Sequence, residues 1–535
     1  MDRPFWSRER KKAAWAAFAV LLAGLAFLPH AAGEFVWDDV YLVQNNPWLV
    51  RWTGLRGILT QDLWGQATGR SAQLFHPLPV LTLWLQGCLH GANLIGFRIG
   101  NWLLHLAAVL LFTRLLRRMR FTRPAVFLAA TVVLLHPSVT EPVMWITGRH
   151  DTVGVVCILL ALLAWPRSGR DGGSWTRALL AGGCAGLAFL SKEQFLVAPL
   201  LLVAFACIEA RVDGAGIPWR LLPLAFAGLP GAWFWRGRLG IALGSDQLAA
   251  GTGMLLRDYA AIVQHYAGQL LGLQNGPTFA PFAPCGVLAT VATLLGVAAL
   301  VGLALWGAWR HPARFAAPLL GLLWFVLALG PYVAAVPSIG YFGNRYAYLP
   351  LFGLALAVAG LARVALSHLP TPNRAIQGVA FIALPLALAV ATFRAAGTWT
   401  SNRALYQADV DRQPTNGFAH YHLGYAILRR EGCAEALHHF QAATYYAPAY
   451  ERGWHNLAGC LVNLGRPDQA IAPARRALAL DPGKASNHYN LAAALWNTGH
   501  PAEARTELGA ALRLDPGHAP SLKLLAAAKA AAATK

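Results

Sequence analysis

The first three quarters of the chain consist of apolar runs separated by short connections that contain arginine. Eleven runs lie at 13–28, 97–116, 125–137, 150–166, 178–190, 195–210, 221–236, 287–309, 315–332, 347–365 and 375–393. A helix that crosses a membrane needs about 20 mostly apolar residues, because each residue adds about 1.5 Å to its length. Only 13% of the 535 residues are charged, too few to cover the surface of a soluble protein. The runs predict an all-α, polytopic membrane helix bundle of about eleven spans.

The positive charges predict how these spans are oriented. A net charge of +20 would suit a nucleic-acid-binding protein, but the arginines lie in clusters between runs rather than along one face. With a cytoplasmic N-terminus and a retained signal anchor at 13–28, alternate connections hold the arginines inside, as the positive-inside rule requires. The segments 78–95 and 254–273 then lie on the outer side as interfacial or re-entrant helices. The inside connections contain Arg114, Arg117, Arg118, Arg120, Arg123, Arg167, Arg170, Arg177, Arg211, Arg220, Arg310, Arg314, Arg363 and Arg374.

The last part of the chain repeats every 34 residues. Proline, leucine and alanine recur at fixed places in the repeat: Pro414, Pro448, Pro482 and Pro516; Leu423, Leu457 and Leu491; Ala436, Ala470 and Ala504; Ala443, Ala477 and Ala511. This period and pattern are typical of a tetratricopeptide repeat, in which each unit is a pair of helices. We predict a membrane domain at 1–396 and an α-solenoid at 397–535, with full repeats at 417–450, 451–484 and 485–518 and a capping helix at 519–531. Eleven spans would place this solenoid outside, in the periplasm of a bacterial inner membrane.

Two adjacent carboxylates, Asp38 and Asp39, follow the first apolar run. A carboxylate just above a membrane suits a general base that takes a proton from a hydroxyl near a lipid-borne leaving group. The alternative is a helix-capping pair in a solvated loop, and the dipeptide alone favours that alternative.

A second group of ionisable residues, Glu141, Arg149, His150 and Asp151, lies between the third and fourth runs. If Glu141 and Asp151 face the Asp38–Asp39 pair across one cavity, their repulsion would raise a pKa or recruit a divalent cation. An ion pair between Arg149 and Asp151 is the alternative.

Two further sites on the outer side carry charge. Lys192 and Glu193 end a run, where a simple snorkelling pair is the alternative to a functional role. Arg345 lies on the outer side against the charge bias, and a cation there commonly has a phosphate or carboxylate partner. The seven cysteines show neither zinc-site spacing nor a disulfide framework.

Taken in order, these motifs resemble a known family. The series is Trp37-Asp38-Asp39, His76-Pro77-Leu78, Asn101-Trp102-Leu103-Leu104-His105, His136-Pro137-Ser138-Val139-Thr140-Glu141-Pro142, Gly148-Arg149-His150-Asp151, Ser191-Lys192-Glu193 and Asn344-Arg345-Tyr346-Ala347-Tyr348-Leu349-Pro350, followed by the repeats. It resembles the transmembrane and tetratricopeptide-repeat-containing family, which is related to the protein O-mannosyltransferases of the GT-C glycosyltransferase superfamily. The chain departs from the family pattern at Phe75-His76-Pro77, where Tyr-Arg-Pro is usual, and at Asn344-Arg345-Tyr346, where Glu-Arg-Tyr is usual.

The resemblance implies a role for each residue type. It implies that Asp38 or Asp39 is the catalytic base and that Glu141 and Asp151 line an acidic cavity. It makes Arg149, Lys192 and Arg345 candidates for binding the lipid phosphate, and His76, Glu193 and Tyr346 candidates for positioning the acceptor or donor. A divalent cation held by Asp38, Asp39, Glu141 and Asp151 stays open.

The function that follows is that of a membrane glycosyltransferase. It would move a sugar from a polyprenyl-phosphate sugar to an acceptor hydroxyl, expected on a protein Ser or Thr, with inversion at the anomeric carbon. The expected partners are the polyprenyl-linked sugar, membrane lipid and an acceptor protein held by the repeats, and no nucleic acid. The sequence has no phosphate-binding glycine loop and no Rossmann motif. This is consistent with a lipid-linked donor, which needs no nucleotide-binding site. The alternatives are a non-enzymatic scaffold for envelope proteins and a GT-C transferase acting on a glycan or lipid.

Overall fold

A computed structural model of the chain describes residues 8–61, 75–167, 174–237, 252–272, 278–366 and 374–533. Residues 1–7 and 534–535, the outer ends of the two predicted domains, lie outside the described residues. The chain divides into two compact units, which we call the membrane unit and the repeat unit. The membrane unit contains 1–275 and 282–401, and the repeat unit contains 276–281 and 402–535.

The membrane unit is built almost entirely from helices. Its α-helices are Arg8–Phe27, Leu55–Thr60, Pro77–His90, Leu94–Arg118, Arg123–Leu135, Thr140–Met144, Arg149–Ala164, Trp175–Ser191, Ala198–Val212, Leu229–Gly237, Thr252–Leu270, Val287–Arg310, Pro312–Leu329, Tyr332–Ile339, Tyr348–Leu366 and Arg374–Gly397. One-turn 3-10 helices lie at Leu28–His30, Pro47–Val50, Trp52–Gly54, Pro137–Val139, Ile146–Gly148, Glu193–Val197, Leu222–Phe226, Asn344–Ala347 and Thr398–Thr400, with a π-helix at Val40–Gln44 and a short strand at Tyr341–Gly343. The all-α class is confirmed.

Helix starts follow the local sequence. Helices begin at Pro77 and Pro312. Proline has no backbone N–H, and it is tolerated there because N–H groups in the first turn have no partner within the helix. The side chain of Asn93 caps the helix Leu94–Arg118 by accepting a hydrogen bond from the Gly96 N–H at 3.1 Å.

All eleven apolar runs are helical, and they differ in length. Among the described residues, seven stretches are long and apolar enough to cross a membrane: Leu94–Arg118, Ile146–Ala164, Glu193–Val212, Val287–Arg310, Pro312–Leu329, Asn344–Val364 and Phe381–Thr400. The pair Arg123–Leu135 and Pro137–Met144, bent by 50°, makes an eighth if it is one broken span. The other three runs form the shorter helices Ala17–His30, Trp175–Ser191 and Leu222–Phe234. The protein is therefore an integral membrane protein.

Glycines allow one of the shorter helices to pack backbone to backbone. A Cβ on Gly182 would lie 1.9 Å from the Leu224 carbonyl oxygen, and one on Gly186 would lie 2.5 Å from that of Gly228. Small residues four apart commonly permit such close helix contacts in membranes. A Cβ on the neighbouring Gly183 would meet nothing within 4 Å.

We expect Gly182→Ala to lower the free energy of unfolding by about 1–3 kcal/mol, the usual cost of overpacking. Thermal unfolding in detergent measures this effect. Gly183→Ala is the matched control, and it should be neutral or slightly stabilising because alanine favours a helix. Equal melting temperatures for the two variants would contradict the close packing.

The segment after the first helix has an apolar core of its own. Leu42, Val43 and Leu49 are buried against a set from three later helical segments: Val80, Leu83, Trp84, Phe97 and Ile146. The indole N–H of Trp84 donates to the Arg51 carbonyl at 2.9 Å. This core attaches the outer segment 34–60 to the bundle, and Asp38 and Asp39 stand at its start.

The repeat unit consists of paired helices. They are Asn402–Arg412, Gly417–Leu428, Cys433–Tyr446, Glu451–Asn463, Pro467–Leu480, Ala485–Asn497, Pro501–Leu514 and Ala519–Ala533. Ala436, Ala470 and Ala504, which recur in the sequence, are fully buried, as close packing of helix pairs requires. The predicted helical repeats are confirmed.

A short distant segment of the chain belongs to the repeat unit. The strand Phe279–Pro281 lies in it, and the buried Asp409 carboxylate accepts hydrogen bonds from the backbone N–H groups of Thr278 (2.6 Å) and Phe279 (3.0 Å). Asn416 donates to the Phe279 carbonyl at 2.7 Å.

Candidate active site

Arg98 fixes the path of the chain between the first helix and the aspartate pair. Its guanidinium is buried and donates to six backbone carbonyls: His30 (3.2 Å), Ala31 (3.2 Å), Ala32 (3.4 Å), Glu34 (3.1 Å), Met144 (3.0 Å) and Trp399 (2.7 Å). An arginine can do this because its planar fork carries five N–H donors, and one N–H of Nη1 is shared between two of the three carbonyls that this nitrogen contacts. Arg98 thus joins the segment before Asp38 to the segment that contains Glu141.

Trp37 turns the backbone immediately before the pair. Its φ of 57° lies in the left-handed region, which costs a bulky residue about 1–3 kcal/mol. Its ring stacks on Trp145 with centroids 4.9 Å apart, and the Arg345 guanidinium lies 5.2 Å from its centroid. These contacts hold the strained turn in place.

Asp39 points into the protein. It is fully buried, and its carboxylate accepts hydrogen bonds from the Ile146 N–H (2.9 Å), the Thr147 N–H (3.1 Å) and the Thr147 hydroxyl (3.2 Å). Burial raises the pKa of Asp39 to about 7, although these hydrogen bonds act in the opposite direction. Asp39 therefore supports the Ile146–Gly148 turn from inside.

Asp38 is the more exposed of the two aspartates. Its side chain is half-buried rather than enclosed. Burial raises the pKa of the Tyr341 hydroxyl, and the Asp38 carboxylate adds to that rise, so the two groups are near each other. Of the two aspartates, only Asp38 is open to a substrate.

Asp39 should make the stability of the fold depend on pH. Between about pH 4 and about pH 7 the folded chain keeps a proton on Asp39 that the unfolded chain has lost, so this group makes the free energy of unfolding fall as pH rises. We expect Asp39→Asn to flatten that fall, measured as melting temperature against pH. A wild-type slope in the Asp39 variant would show that Asp39 does not titrate in this interval.

Glu141 and Arg345 form a buried ion pair. Glu141 Oε1 accepts from Arg345 Nη1 at 2.7 Å, and Oε2 accepts from the Arg345 backbone N–H at 2.9 Å. Aromatic rings surround the guanidinium, with centroids at 4.5–5.9 Å: Trp37, Trp145, Tyr341 and Tyr346. Arg345 also donates to the Tyr346 hydroxyl at 3.0 Å.

A second ion pair joins Asp151 to Lys192. The Lys192 ammonium donates to both Asp151 oxygens, at 2.9 and 3.1 Å, and Gln194 donates to Oδ1 at 2.6 Å. The Lys192 side chain is 17% exposed, whereas the side chain of Asp151 is 1% exposed. The Lys192 nitrogen lies 5.1 Å from the centroid of the Tyr346 ring, so this pair adjoins the Arg345 pair.

His76 and Glu193 form a third pair beside the second. His76 Nε2 lies 2.8 Å from Glu193 Oε1, with side-chain exposures of 11% and 30%. The His76 ring packs edge to face on the ring of His150, 4.9 Å away. Lys192 and Glu193 therefore each have a partner from another part of the chain.

Arg149 lies apart from these pairs. It is 2% exposed and donates to Asn101 Oδ1 (2.6 Å), Gln86 Oε1 (2.7 Å) and the Phe97 carbonyl (2.9 Å). Asp151 bonds to Lys192 and not to Arg149, so the Arg149–Asp151 pairing is not formed.

Most of the predicted residues come together. Asp38 follows Trp37, whose ring contacts Arg345, the partner of Glu141. Tyr346 links Arg345 to the pair of Lys192 and Asp151. The pair of His76 and Glu193 lies beside them. Asp39 and Arg149 lie behind this surface and face inward. Asp39, Glu141 and Asp151 each have separate partners. No three His, Cys, Asp or Glu side chains converge as metal ligands would in the described parts of the chain.

Arg98, Gln194 and Tyr332 are missing from the sequence prediction. Arg98 had a detectable signal, because it stands within an apolar helix with Asn101 and His105 at helical spacing on one face. Tyr332 packs 4.5 Å from Tyr346, and its hydroxyl and the side-chain oxygen of Gln194 are buried without a hydrogen-bond partner among the described residues. No pattern in the sequence marks those two.

Comparison with known proteins places the chain in context. A family model described as dolichyl-phosphate-mannose-protein mannosyltransferase matches residues 76–235, and a tetratricopeptide repeat model matches 465–528. Over 461 residues the chain is 23% identical to the protein O-mannosyl-transferase F38B6.6 of Caenorhabditis elegans, covering 81% of this chain and 63% of that protein. It is 36% identical over 196 residues to the human protein O-mannosyl-transferase TMTC1, covering 35% of this chain and 21% of that protein.

A solved structure is similar over a long stretch. The apo oligosaccharyltransferase of Archaeoglobus fulgidus aligns with 83% of this chain and 60% of its own, at 15% identity and a TM-score of 0.39. The chain spans less than two thirds of the length of the two protein O-mannosyl-transferases. The predicted family resemblance is confirmed: the chain is similar to the protein O-mannosyl-transferases in its membrane unit and to tetratricopeptide repeats in its repeat unit.

Proposed function

We propose that this protein transfers a sugar from a polyprenyl-phosphate sugar to a Ser or Thr hydroxyl of an acceptor protein. The names of the similar proteins suggest that the sugar is mannose. The observation that carries the proposal is the half-buried Asp38, which lies near Tyr341, in one region with two cations. The Tyr341 ring contacts Arg345, and Tyr346 links Arg345 to Lys192. A base and a cation next to each other are what a glycosyl transfer to a hydroxyl requires. The reaction would take place on the outer face of the membrane, a bacterial inner membrane on our orientation, with the repeats outside.

The proposed reaction is a single displacement. The acceptor oxygen attacks the anomeric carbon, and its proton passes to the Asp38 carboxylate. The bond from that carbon to the phosphate oxygen breaks, and its electron pair leaves with the polyprenyl phosphate. Attack from the face opposite the leaving group inverts the anomeric carbon.

Lys192 is the best candidate among the cations for the lipid phosphate. Its side chain is 17% exposed and keeps one N–H free of Asp151, because an ammonium has three donors. Arg345 is held by Glu141, and Arg149 donates to neutral oxygens at depth. We assign these two arginines to positioning and Lys192 to phosphate contact.

Unpaired polar atoms next to Lys192 suit a sugar. The Tyr332 hydroxyl and Gln194 Oε1 are buried without a partner in the part of the chain that the structure describes. Buried polar groups are nearly always hydrogen bonded, so hydroxyls of a bound sugar would satisfy both. Glu193, which pairs with His76, is 30% exposed and would meet an entering acceptor.

Lys192→Met tests the phosphate contact, since it removes the charge and keeps the length. We expect the KM for the lipid donor to rise about tenfold or more, the equivalent of a charged hydrogen bond of about 1.5 kcal/mol. Lys192→Arg keeps the charge and should recover most of the affinity. An unchanged donor KM in a folded Met variant would place the phosphate elsewhere.

A further inference from the structure

A cavity lined by arginines lies in the membrane unit, far from the candidate active site. It has a volume of about 210 Å³ and an opening among the ends of several helices. Arginines supply its polar wall: Arg117, Arg118, Arg120, Arg167 and Arg363. A second cavity of about 330 Å³ shares three of them and adds Arg114 and Arg177.

The two sites stand at opposite ends of the same helices. Arg98 near the start of the helix Leu94–Arg118 contacts the segment before Asp38, and Arg118 at its end lines both cavities. Twenty residues of helix span about 30 Å, the thickness of the hydrocarbon core. The cavities therefore lie at the other membrane surface.

Arg118 forms a fixed floor of the first cavity. Its guanidinium makes a two-pronged ion pair with Glu209, at 2.7 and 2.6 Å, and donates to the carbonyls of Leu162 (3.1 Å) and Leu163 (2.9 Å). It also lies 4.9 Å from the centroid of the Phe205 ring. These contacts occupy most of the N–H donors of Arg118, so its role is to shape the site and not to bind the ligand.

Arg114 and Arg117, in contrast, have their charge available. Both are exposed, and neither guanidinium has a hydrogen bond or ion pair within the described residues. Among the described residues, seven arginines line the two cavities. The only carboxylates there, Glu209 and Asp213, are already paired with Arg118 and Arg120. The cavities therefore have an excess of positive charge that favours an anion.

Arg120 is held in a costly backbone conformation at the rim. Its φ of 60° lies in the left-handed region, where a helix C-terminus usually has glycine. Its guanidinium donates to Asp213 at 2.7 Å. The chain thus keeps a charged residue where backbone energetics favour glycine, and this fixes the shape of the arginine cavity.

We propose that these cavities bind the phosphate headgroup of an anionic phospholipid. A lipid suits the site because the cavities lie at a membrane surface and the wall opposite the arginines is apolar: Phe205, Ile208, Val212, Ala316 and Ala317. Basic pockets between helix ends bind anionic headgroups in other membrane proteins. The headgroup phosphate lies between Arg114, Arg117 and Arg167, and an acyl chain follows the apolar wall.

The test uses the full chain in nanodiscs. Phosphatidylcholine alone is compared with a phosphatidylcholine–phosphatidylglycerol mixture, with the melting temperature and the lipid retained in native mass spectrometry as readouts. We expect phosphatidylglycerol to raise the melting temperature of the wild type and Arg114→Gln/Arg117→Gln to lose most of that rise. These two arginines are exposed, so the variant should fold.

A second variant separates a built site from general surface charge. Arg220→Gln/Arg310→Gln removes the same charge from exposed arginines in two other connections and should keep the wild-type rise. An equal loss in both variants, or no loss in either, would overturn the proposal. So would an equal rise with inorganic phosphate added to phosphatidylcholine nanodiscs, because the ligand would then be a soluble phosphate.

Discussion

Asp38→Asn should lower the rate of sugar transfer by ~100-fold or more, the usual contribution of a general base. The substitution keeps the size of the side chain and removes the group that takes the proton. Because Asp38 is half-buried at the surface of the candidate site, the melting temperature should stay near that of the wild type. Steady-state kinetics with a lipid-linked sugar and a short Ser/Thr peptide measure the effect.

Asp39→Asn is the matched control for this result. Its carboxylate faces the Ile146–Gly148 turn and not the substrate side, so its loss should change stability and its pH dependence more than the chemical step. Wild-type rates in both variants at matched protein levels would favour the non-enzymatic scaffold. A large loss of rate in the Asp39 variant alone would reverse the roles of the two aspartates.

Glu141→Gln should destabilise the membrane unit by about 3–5 kcal/mol, the cost of leaving one partner of a buried ion pair without its counter-charge. Glu141 is fully buried and Arg345 is 7% exposed, so water cannot replace the lost carboxylate. Thermal or denaturant unfolding in detergent measures the loss. The same variant should also lose activity, because Arg345 holds the rings of Trp37 and Tyr346 in place.

The double variant Glu141→Gln/Arg345→Met separates loss of the pair from exposure of an unpaired charge. It should recover part of the stability, because replacing both partners of a buried ion pair is often close to neutral. If the double variant instead loses as much stability as Glu141→Gln and Arg345→Met lose together, Glu141 and Arg345 do not act as a pair.

The sequence was sufficient for the fold because the signals that specify it are local. Apolar runs marked every membrane helix, and the 34-residue period marked every helix pair of the repeat unit. The apolar runs did not give the lengths of individual spans, since three of the eleven form shorter helices and one is bent by 50°. They also could not assign residues 276–281 to the repeat unit, which depends on hydrogen bonds to Asp409 and Asn416.

The candidate site was only partly predictable for a related reason. Charged residues near the outer ends of runs are visible in sequence, but their partners are set by contacts across more than 40 positions, as for Lys192 with Asp151 and Arg345 with Glu141. The different burial of Asp38 and Asp39 follows a left-handed turn at Trp37 and a segment held by Arg98. The turn has no sequence signature, and although Arg98 stands out as a cation within an apolar run, the carbonyls that it binds do not.

The central claim is that the chain transfers sugar from a lipid carrier. The direct test incubates the purified full chain with mannosyl-phosphoryl-polyprenol or with a nucleotide mannose, and measures mannose on a Ser/Thr peptide by mass spectrometry. The account predicts transfer from the lipid donor, none from the nucleotide donor, and loss of transfer in Asp38→Asn. Absence of transfer from the lipid donor by folded wild-type protein, with a set of peptides and full-length acceptor proteins, would contradict it.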